Sequence, residues 1–286
     1  MELMKGSVLI SGASTGIGRA TALLLDRQGY RVFAGVRSPE AAQQLVAQGS
    51  ERLSPVILDI TKSEQIEGAY QEIGAHSDIQ ENGLRGLVNN AGTVISGPLE
   101  FLPMEDARRQ LEINLFGHMA VTQKFLPLLR QAKGRVINIG STAAFFAAPF
   151  LGAYCASKYA MEAFTDSLRR EVQWQGINVS LVEPGYTETP IWDKGYAHAE
   201  KVLENHQSPL AEEYRKAFRR GRRFLDRGRR MAIPPSKVAA CILRALETPK
   251  PKRRYLVGVD TYILALGQRF LPDGLPDWFI RTFLFH

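Results

Sequence analysis

The stretch Ser7-Val8-Leu9-Ile10-Ser11-Gly12-Ala13-Ser14-Thr15-Gly16-Ile17-Gly18, followed by the helix-type run Arg19–Gln28, decides how this chain folds. Its first part is short and apolar, the pattern of a strand covered on both faces. Three glycines then let the backbone turn tightly and approach a phosphate, and the following helix offers unpaired N–H groups at the positive end of its dipole. Taken alone, a glycine cluster is also compatible with a plain tight turn. Its position between the first strand and the first helix points instead to a dinucleotide site built from Gly12, Ser14, Thr15, Gly16, Ile17 and Gly18.

Outward from this unit, apolar β-type runs alternate with helix-length segments: Val32–Val36, Val56–Leu58, Leu87–Val88, Val136–Ile139 and Val179–Val182. Repetition of strand, helix and strand predicts an α/β fold with a doubly wound parallel sheet, joined by right-handed crossovers. No repeat, low-complexity tract or linker divides the chain, so residues 1–260 are expected to form one Rossmann-fold domain. The pattern weakens after Pro190, which predicts an insertion over about 190–234. It resumes with Pro234-Pro235-Ser236 ahead of a helix at Lys237–Glu247 and a strand at Tyr255–Val257. Residues 261–286 mix Trp278, Phe279, Phe283 and Phe285 with Pro272 and Pro276. Such an apolar tail must pack on the domain, on a partner subunit or against lipid.

Composition excludes several classes. The 286 residues are 45% hydrophobic, and 36 Lys and Arg against 29 Asp and Glu leave a formal charge of +7. A chain of this kind buries a large core rather than remaining disordered. Cys155 and Cys241 are too few for a disulfide scaffold or a four-ligand zinc site, and the five His residues show no ligand spacing, so no metal is expected. A reducing, cytoplasmic setting is the expectation. The first residues lack a secretory apolar region, and the most apolar window, Val136 to Ala156, is broken by Asn138, Gly140, Pro149 and Gly152. The excess charge is concentrated: Tyr214–Arg230 holds nine basic residues and one acid, a sum of +8 that leaves −1 for the rest. That segment suits phosphates, an acidic membrane surface or an anionic substrate, or else is a solvated helix face; no nucleic-acid-binding motif accompanies it.

The second strand ends Ala34-Gly35-Val36-Arg37-Ser38, without the acid that usually accepts hydrogen bonds from the ribose of NAD. Arg37 can instead grip a 2′-phosphate with its donor fork, which favours NADP; a solvated Arg37 with NAD is the alternative. Asp59, in Leu58-Asp59-Ile60, can accept from an adenine amino group or cap the next helix. Farther on, Tyr154 and Lys158 stand four apart in a helical stretch running through Glu171, and so share one face. A free phenol, with pKa ~10, is a poor proton carrier at neutral pH. A nearby ammonium and an oxidised nicotinamide would draw that pKa toward working pH.

Six motifs now stand in order: Ser11-Gly12-x3-Gly16-x-Gly18, Asn89-Asn90-Ala91-Gly92, Asn114 in Ile113-Asn114-Leu115, Ser141, Tyr154-x3-Lys158 and Pro184-Gly185. This ordered set resembles the short-chain dehydrogenase/reductase family, continuously over roughly residues 5–190 and more loosely beyond 234. The resemblance implies that Tyr154 is the acid in reduction and the base in oxidation, with Ser141 donating to the substrate oxygen. Lys158 would hold the nicotinamide ribose and lower the Tyr154 pKa, and Asn114 would orient a water joining Lys158 to bulk solvent. It also implies Asn89 near the adenosine ribose, with Asp59, Ile60, Ala91 and Gly92 as further cofactor contacts. Pro184, Gly185, Thr187 and Thr189 match the segment that binds the nicotinamide carboxamide. A homodimer or homotetramer is implied, through the helices around 104–131 and 154–173. Two positions depart from the family pattern. Ser11 replaces the commoner Thr, and Gly140 stands where many relatives have Ser, which is expected to open space beside the substrate.

Glu183-Pro184-Gly185 and the segment Tyr154–Arg170 look most like the hydroxysteroid and retinol dehydrogenase branch. Through that resemblance the expected substrate is an apolar secondary alcohol or ketone, or a retinoid-type alcohol or aldehyde. Phe145, Phe146, Pro149, Phe150 and Leu151 suit an apolar pocket or ordinary packing under a loop. The insertion occupies the place of the family's substrate lid, with Trp192, Tyr196, Tyr214 and Phe218 as apolar cover. Two other functions compete: a ketoacyl-thioester reductase whose Arg219, Arg222 and Arg223 bind an anionic carrier, and an NADP-binding sensor without turnover. A peripheral membrane contact would combine the basic segment with the aromatic tail.

Overall fold

The computed structural model describes residues 4–228, 232–270, 272 and 274–285. Its seven strands are β1 (Ser7–Ile10), β2 (Arg31–Val36), β3 (Leu53–Ile57), β4 (Gly86–Asn89), β5 (Arg135–Ile139), β6 (Asn178–Pro184) and β7 (Arg254–Val257). They form one sheet in the order β3-β2-β1-β4-β5-β6-β7, every neighbouring pair parallel. The chain starts in the middle, builds outward through β2 and β3, then crosses back to β4. That reversal between β1 and β4 leaves a crevice at the carboxyl ends of the strands, where ligands of such sheets bind.

Both faces are covered, as the unbroken apolar strands require. On one face α1 (Gly16–Arg27), α2 (Pro39–Val46) and α10 (Pro235–Glu247) close over Val8, Ile10, Val32, Ile137 and Val182. On the other, α3 (Ser63–Gly74), α4 (Ser77–Asn82), α6 (Gly117–Gln131) and α7 (Gly152–Val172) bury Leu9, Phe33, Leu87, Phe125 and Val136. Helix α1 begins three residues earlier than the sequence pattern places it, because two of the three glycines form its first turn.

The insertion is helical: α8 (Ile191–Glu204) and α9 (Pro209–Gly228) pack on each other, on Phe101 and on Phe150. Much of the α9 charge is engaged locally. Arg215 and Arg219 pair with Glu212, Lys216 with Glu213, and Arg222 with Glu200 of α8. Arg229 and Arg230, which the sequence places in the basic run, lie outside the described residues. After β7 come α11 (Val259–Phe270), α12 (Gly274–Ile280) and a π-turn at Arg281–Phe285 that packs on α9. Helix α11 begins at Val259, and its second residue, Asp260, accepts from the Tyr186 backbone N–H at 2.8 Å. The short α5 (Met104–Leu111) runs through a π-turn, Glu112–Phe116, into α6.

Phe125, fully buried between the sheet and Tyr70, is a central contact of the second face. Phe125→Ala is expected to lower stability by about 3–5 kcal/mol in denaturant unfolding. A loss below about 1 kcal/mol would mean that this side of the sheet is packed differently.

Candidate active site

The glycine loop is a cradle that side chains would fill. Gly12 and Gly16 have φ of +67° and +55°, and a Cβ on Gly12 would lie 2.7 Å from Ala91 Cα. Gly18 faces the Gly12 carbonyl and the Asn90 amide with no room for a side chain. No side chain caps the N-terminus of α1, and no acid stands in its first turn, so its N–H groups remain available to an anion. The loop is braced by its neighbour: Asn90 Nδ2 donates to the Ser11 and Gly12 carbonyls at 3.0 Å, and Ser11 Oγ accepts from the Asn90 and Ala91 N–H groups at 3.0 and 3.1 Å.

A cavity of about 730 Å³ runs from this loop across the strand ends. It is lined at one end by Arg37, Asp59 and Ile60, and at the other by Ser141, Tyr154 and Lys158, with Ser14, Thr15, Ile17, Ala91, Gly92, Asn114, Pro184, Gly185, Thr187 and Thr189 between. Asp59 does not cap α3: its Oδ1 accepts from the Thr61 N–H and hydroxyl at 3.0 and 2.8 Å. Burial would raise its pKa, but those bonds and the charges of Arg37 and Lys62 outweigh it and hold the carboxyl below its usual value.

Two of the residues expected to touch a cofactor stand back from the cavity. Gly18 packs beneath the loop, as described. Asn89 is buried inside the fold, its Nδ2 donating to Thr122 Oγ1 and Asn138 Oδ1 at 2.8 Å, and so ties β4 to β5 and α6. Its successor Asn90 reaches the cleft. Thr93, Arg109 and Lys194, which sequence reasoning passed over, also line it.

At the other end, α7 carries Tyr154 and Lys158 on one face. Lys158 Nζ donates to the Ile139 carbonyl at 2.9 Å and lies 5.8 Å from the centre of the Tyr154 ring. Burial pushes the ammonium down to about 8. Burial likewise pushes the Tyr154 phenol up to about 12, against the pull of the Ser141 hydroxyl. Asn114 sits in the π-turn, where Oδ1 accepts from Thr93 N–H at 2.9 Å, and Nδ2 donates to Thr93 O at 3.0 Å and Ser157 Oγ at 3.1 Å. These bonds lock the β4 loop to α7. His118, one turn on, donates from Nε2 to the Ala91 carbonyl at 2.7 Å; burial, then the Lys158 charge, push it down to about 3, so it is neutral.

A second cavity, about 350 Å³ and mostly apolar, meets the first at Trp192. Val94, Phe146, Pro149, Phe150 and Leu151 form one side, and Tyr196, Phe218 and Leu284 form part of the other. Of the side chains expected here, Phe145 is absent from this lining and Tyr214 packs behind it, on Phe101 and Phe150. Phe150 has φ +67°, a strained conformation for a side chain of this size, held at the wall of a pocket. Trp192 packs edge-on to Tyr154, so apolar cover lies directly over the phenol.

Comparison with known proteins agrees with this geometry. The family model described as short chain dehydrogenase matches residues 6–200. Human retinol dehydrogenase 5 is 40% identical over 280 residues, covering 94% of this chain and 86% of that protein. Human 17-beta-hydroxysteroid dehydrogenase type 6 is 36% identical, covering 96% and 87%. Among solved structures, a Burkholderia cenocepacia short chain dehydrogenase in complex with NADP superposes with a TM-score of 0.72 at 26% identity, over 97% and 98% of the two chains.

Asn90→Ala removes two hydrogen bonds to the glycine loop. It is expected to lower stability by about 1–3 kcal/mol and to weaken dinucleotide binding in a fluorescence titration. Unchanged affinity would show that the loop holds its shape without this brace.

Proposed function

The chain belongs to the short chain dehydrogenase family, and on that footing we propose that it interconverts an apolar secondary alcohol and its ketone, or a retinoid-type alcohol and aldehyde, with NADP(H). As a member of that family it is an oxidoreductase of alcohol and ketone substrates that uses a nicotinamide cofactor. The observation that carries the finer reading is the meeting of two cavities at Trp192, one holding the glycine loop, Ser141, Tyr154 and Lys158, the other apolar. Support for NADP comes from Arg37 at the cavity wall, from the lack of an acid at the end of β2, and from the NADP bound by the Burkholderia relative.

The glycine loop, Pro184, Gly185, Thr187 and Thr189 would hold a nicotinamide cofactor, whose chemistry would be hydride transfer. The chain provides the rest. Ser141 Oγ donates to the substrate oxygen, and Tyr154 Oη gives it a proton in reduction and removes one in oxidation. The Lys158 ammonium beside the ring stabilises the phenolate, and Trp192 keeps water from the reacting oxygen. A cavity of about 350 Å³ suits a lipophilic substrate. The thioester alternative loses ground because Arg219 and Arg222 are engaged by Glu212 and Glu200. The sensor reading leaves the buried Ser141, Tyr154 and Lys158 set without a purpose.

The proposal extends to surroundings. Val259, Tyr262, Ile263 and Leu266 lie on one face of α11, and with Leu275 and Trp278 of α12 they are 48–77% exposed. The side chains of Phe279 and Phe285, named from sequence, lie outside the described ones. The π-turn after α12 packs on the basic α9, and the exposed apolar face suits an anionic lipid surface at which a lipophilic substrate is met, although no helix among the described residues is long and apolar enough to cross a membrane. The protein would then be a peripheral one on the cytoplasmic side. Phe116 and Tyr159, exposed on the surface of the helices expected to pair subunits, support a homodimer there.

Fluorescence titration tests the cofactor: NADPH should bind more tightly than NADH, and Arg37→Ala should weaken NADPH roughly 10- to 100-fold while sparing NADH. Equal affinities in the wild type would contradict it. Tyr154→Phe should reduce turnover of a lipophilic ketone roughly 100- to 10,000-fold and leave NADPH binding intact; unchanged turnover would sink the mechanism. For the surface, cosedimentation with phosphatidylcholine vesicles containing phosphatidylserine should be lost in Ile263→Ser/Leu266→Ser, and a wild type that ignores such vesicles would remove the membrane contact.

A further inference from the structure

Glu183 carries a carboxyl that the mechanism does not use. It is 0% exposed at the end of β6, directly before Pro184 and Gly185. The side chain leans against Gly140, where an added Cβ would lie 3.1 Å from Glu183 Cγ and 3.3 Å from Leu181. A side chain at 140 would therefore be directed at Glu183 and Leu181, while the Gly140 backbone lines the first cavity. Glu183 thus touches the residue next to Ser141.

On its other side Glu183 meets Glu162 of α7. Glu162 follows Lys158 by four residues and Tyr154 by eight, on the same helix face. Its Oε2 accepts from Arg254 Nε at 3.0 Å and Nη2 at 2.6 Å, and Arg254 also reaches Asp166 at 3.3 Å. Asp166 is paired in turn with Arg169 and Arg170. The cations of this cluster are thus directed at Glu162 and Asp166, and none bonds to Glu183 among the described residues. Glu162 Oε1 and both Glu183 oxygens are buried without a hydrogen-bond partner. Bare carboxylate oxygens only accept, so adjacent ones cannot satisfy one another until a proton makes one of them a donor.

We propose that Glu183 keeps its proton and donates it to Glu162, and that this carboxyl pair is a positioning element: it holds α7 against the end of β6 and keeps Tyr154 in register with Ser141 until Glu183 ionises at alkaline pH. The proposal rests on the assignment of Tyr154 and Ser141 given above. Burial first, then the Glu162 carboxyl, hold Glu183 far above the usual carboxylate range, while Arg254 acts against this and Asp166 with it. The folded-state value is raised above 4.5, so the stabilisation is complete below that pH and is lost as pH rises through the folded value. Two adjacent buried carboxylates then repel, and α7 and β6 are pushed apart at the point that seats Ser141 and Tyr154.

Glu183→Gln tests this, because it keeps the shape and a donor and removes the titration. Three quantities are followed against pH: kcat for alcohol oxidation, NADPH affinity by fluorescence, and Tm. The Gln variant should retain most activity at neutral pH, and at alkaline pH, where loss of the Lys158 charge is common to both proteins, it should keep a larger share of its activity than the wild type. Its Tm should also fall less on going from neutral to alkaline pH. Glu183→Leu, which cannot donate to Glu162, should lose kcat at every pH while keeping NADPH affinity. An alkaline limb and a Tm profile that are the same in wild type and Gln variant overturn the proposal. The Tm comparison needs no substrate, so it separates failure of this proposal from failure of the Tyr154 mechanism, which only Tyr154→Phe reports.

Discussion

A lysine ammonium buried beside a tyrosine ring, with a backbone carbonyl as its hydrogen-bond partner and no carboxylate bound to it among the described residues, is the constraint around which the rest of the structure is arranged. A buried charge normally demands a counter-ion. Lys158 has Ile139 O instead, and the result is an ammonium pushed down to about 8 beside a phenol pushed up to about 12. Burial displaces each group toward its neutral form. An oxidised cofactor held in the cleft would add positive charge near the phenol and so favour the phenolate.

Holding such a pair in place falls to uncharged polar side chains. Asn89, Asn138, Thr122 and Thr165 form a buried chain of hydrogen bonds joining β4, β5, α6 and α7. Asn114 and Gln110 both take the Thr93 carbonyl, so the π-turn and α5 are fastened to the loop after β4. These bonds add no charge near Lys158, and they fix the helix carrying Tyr154 relative to the strands carrying the glycine loop and Ser141. Asp260 does the same for the opposite wall: its carboxylate sits where a side chain on Gly185 would project, and fixes the turn by accepting from Tyr186 N–H.

What the sequence made legible follows from what is local. The strands could be read because each is a short apolar run, and Tyr154 and Lys158 because four residues is one helical turn. The glycine loop could be read from its position. Asn89 and Asn90 were confused because a motif does not reveal where a strand ends: Asn89 is the last paired residue and points into the fold, whereas Asn90 has left the strand and turns to the cleft. The side chain beneath Gly140, Glu183, comes from a different strand, so the local sequence does not show it. Asp260 was invisible for the same reason, its partner lying 74 residues away. On α9, the i,i+3 pair of Glu212 with Arg215 is written in the sequence; that of Arg222 with Glu200 depends on how α8 and α9 pack.

The most direct measurement is the ultraviolet titration of tyrosinate, taken as the difference between wild type and Tyr154→Phe, with and without saturating NADP⁺. Without cofactor the Tyr154 component should ionise only near the alkaline end, in keeping with a phenol pushed up to about 12. With NADP⁺ bound it should ionise at least about two pH units lower, since a cation brought into a buried site favours the charged phenolate. A Tyr154 component that ionises at the same pH with and without NADP⁺ would contradict the idea that burial withholds the phenolate until the cofactor's charge arrives.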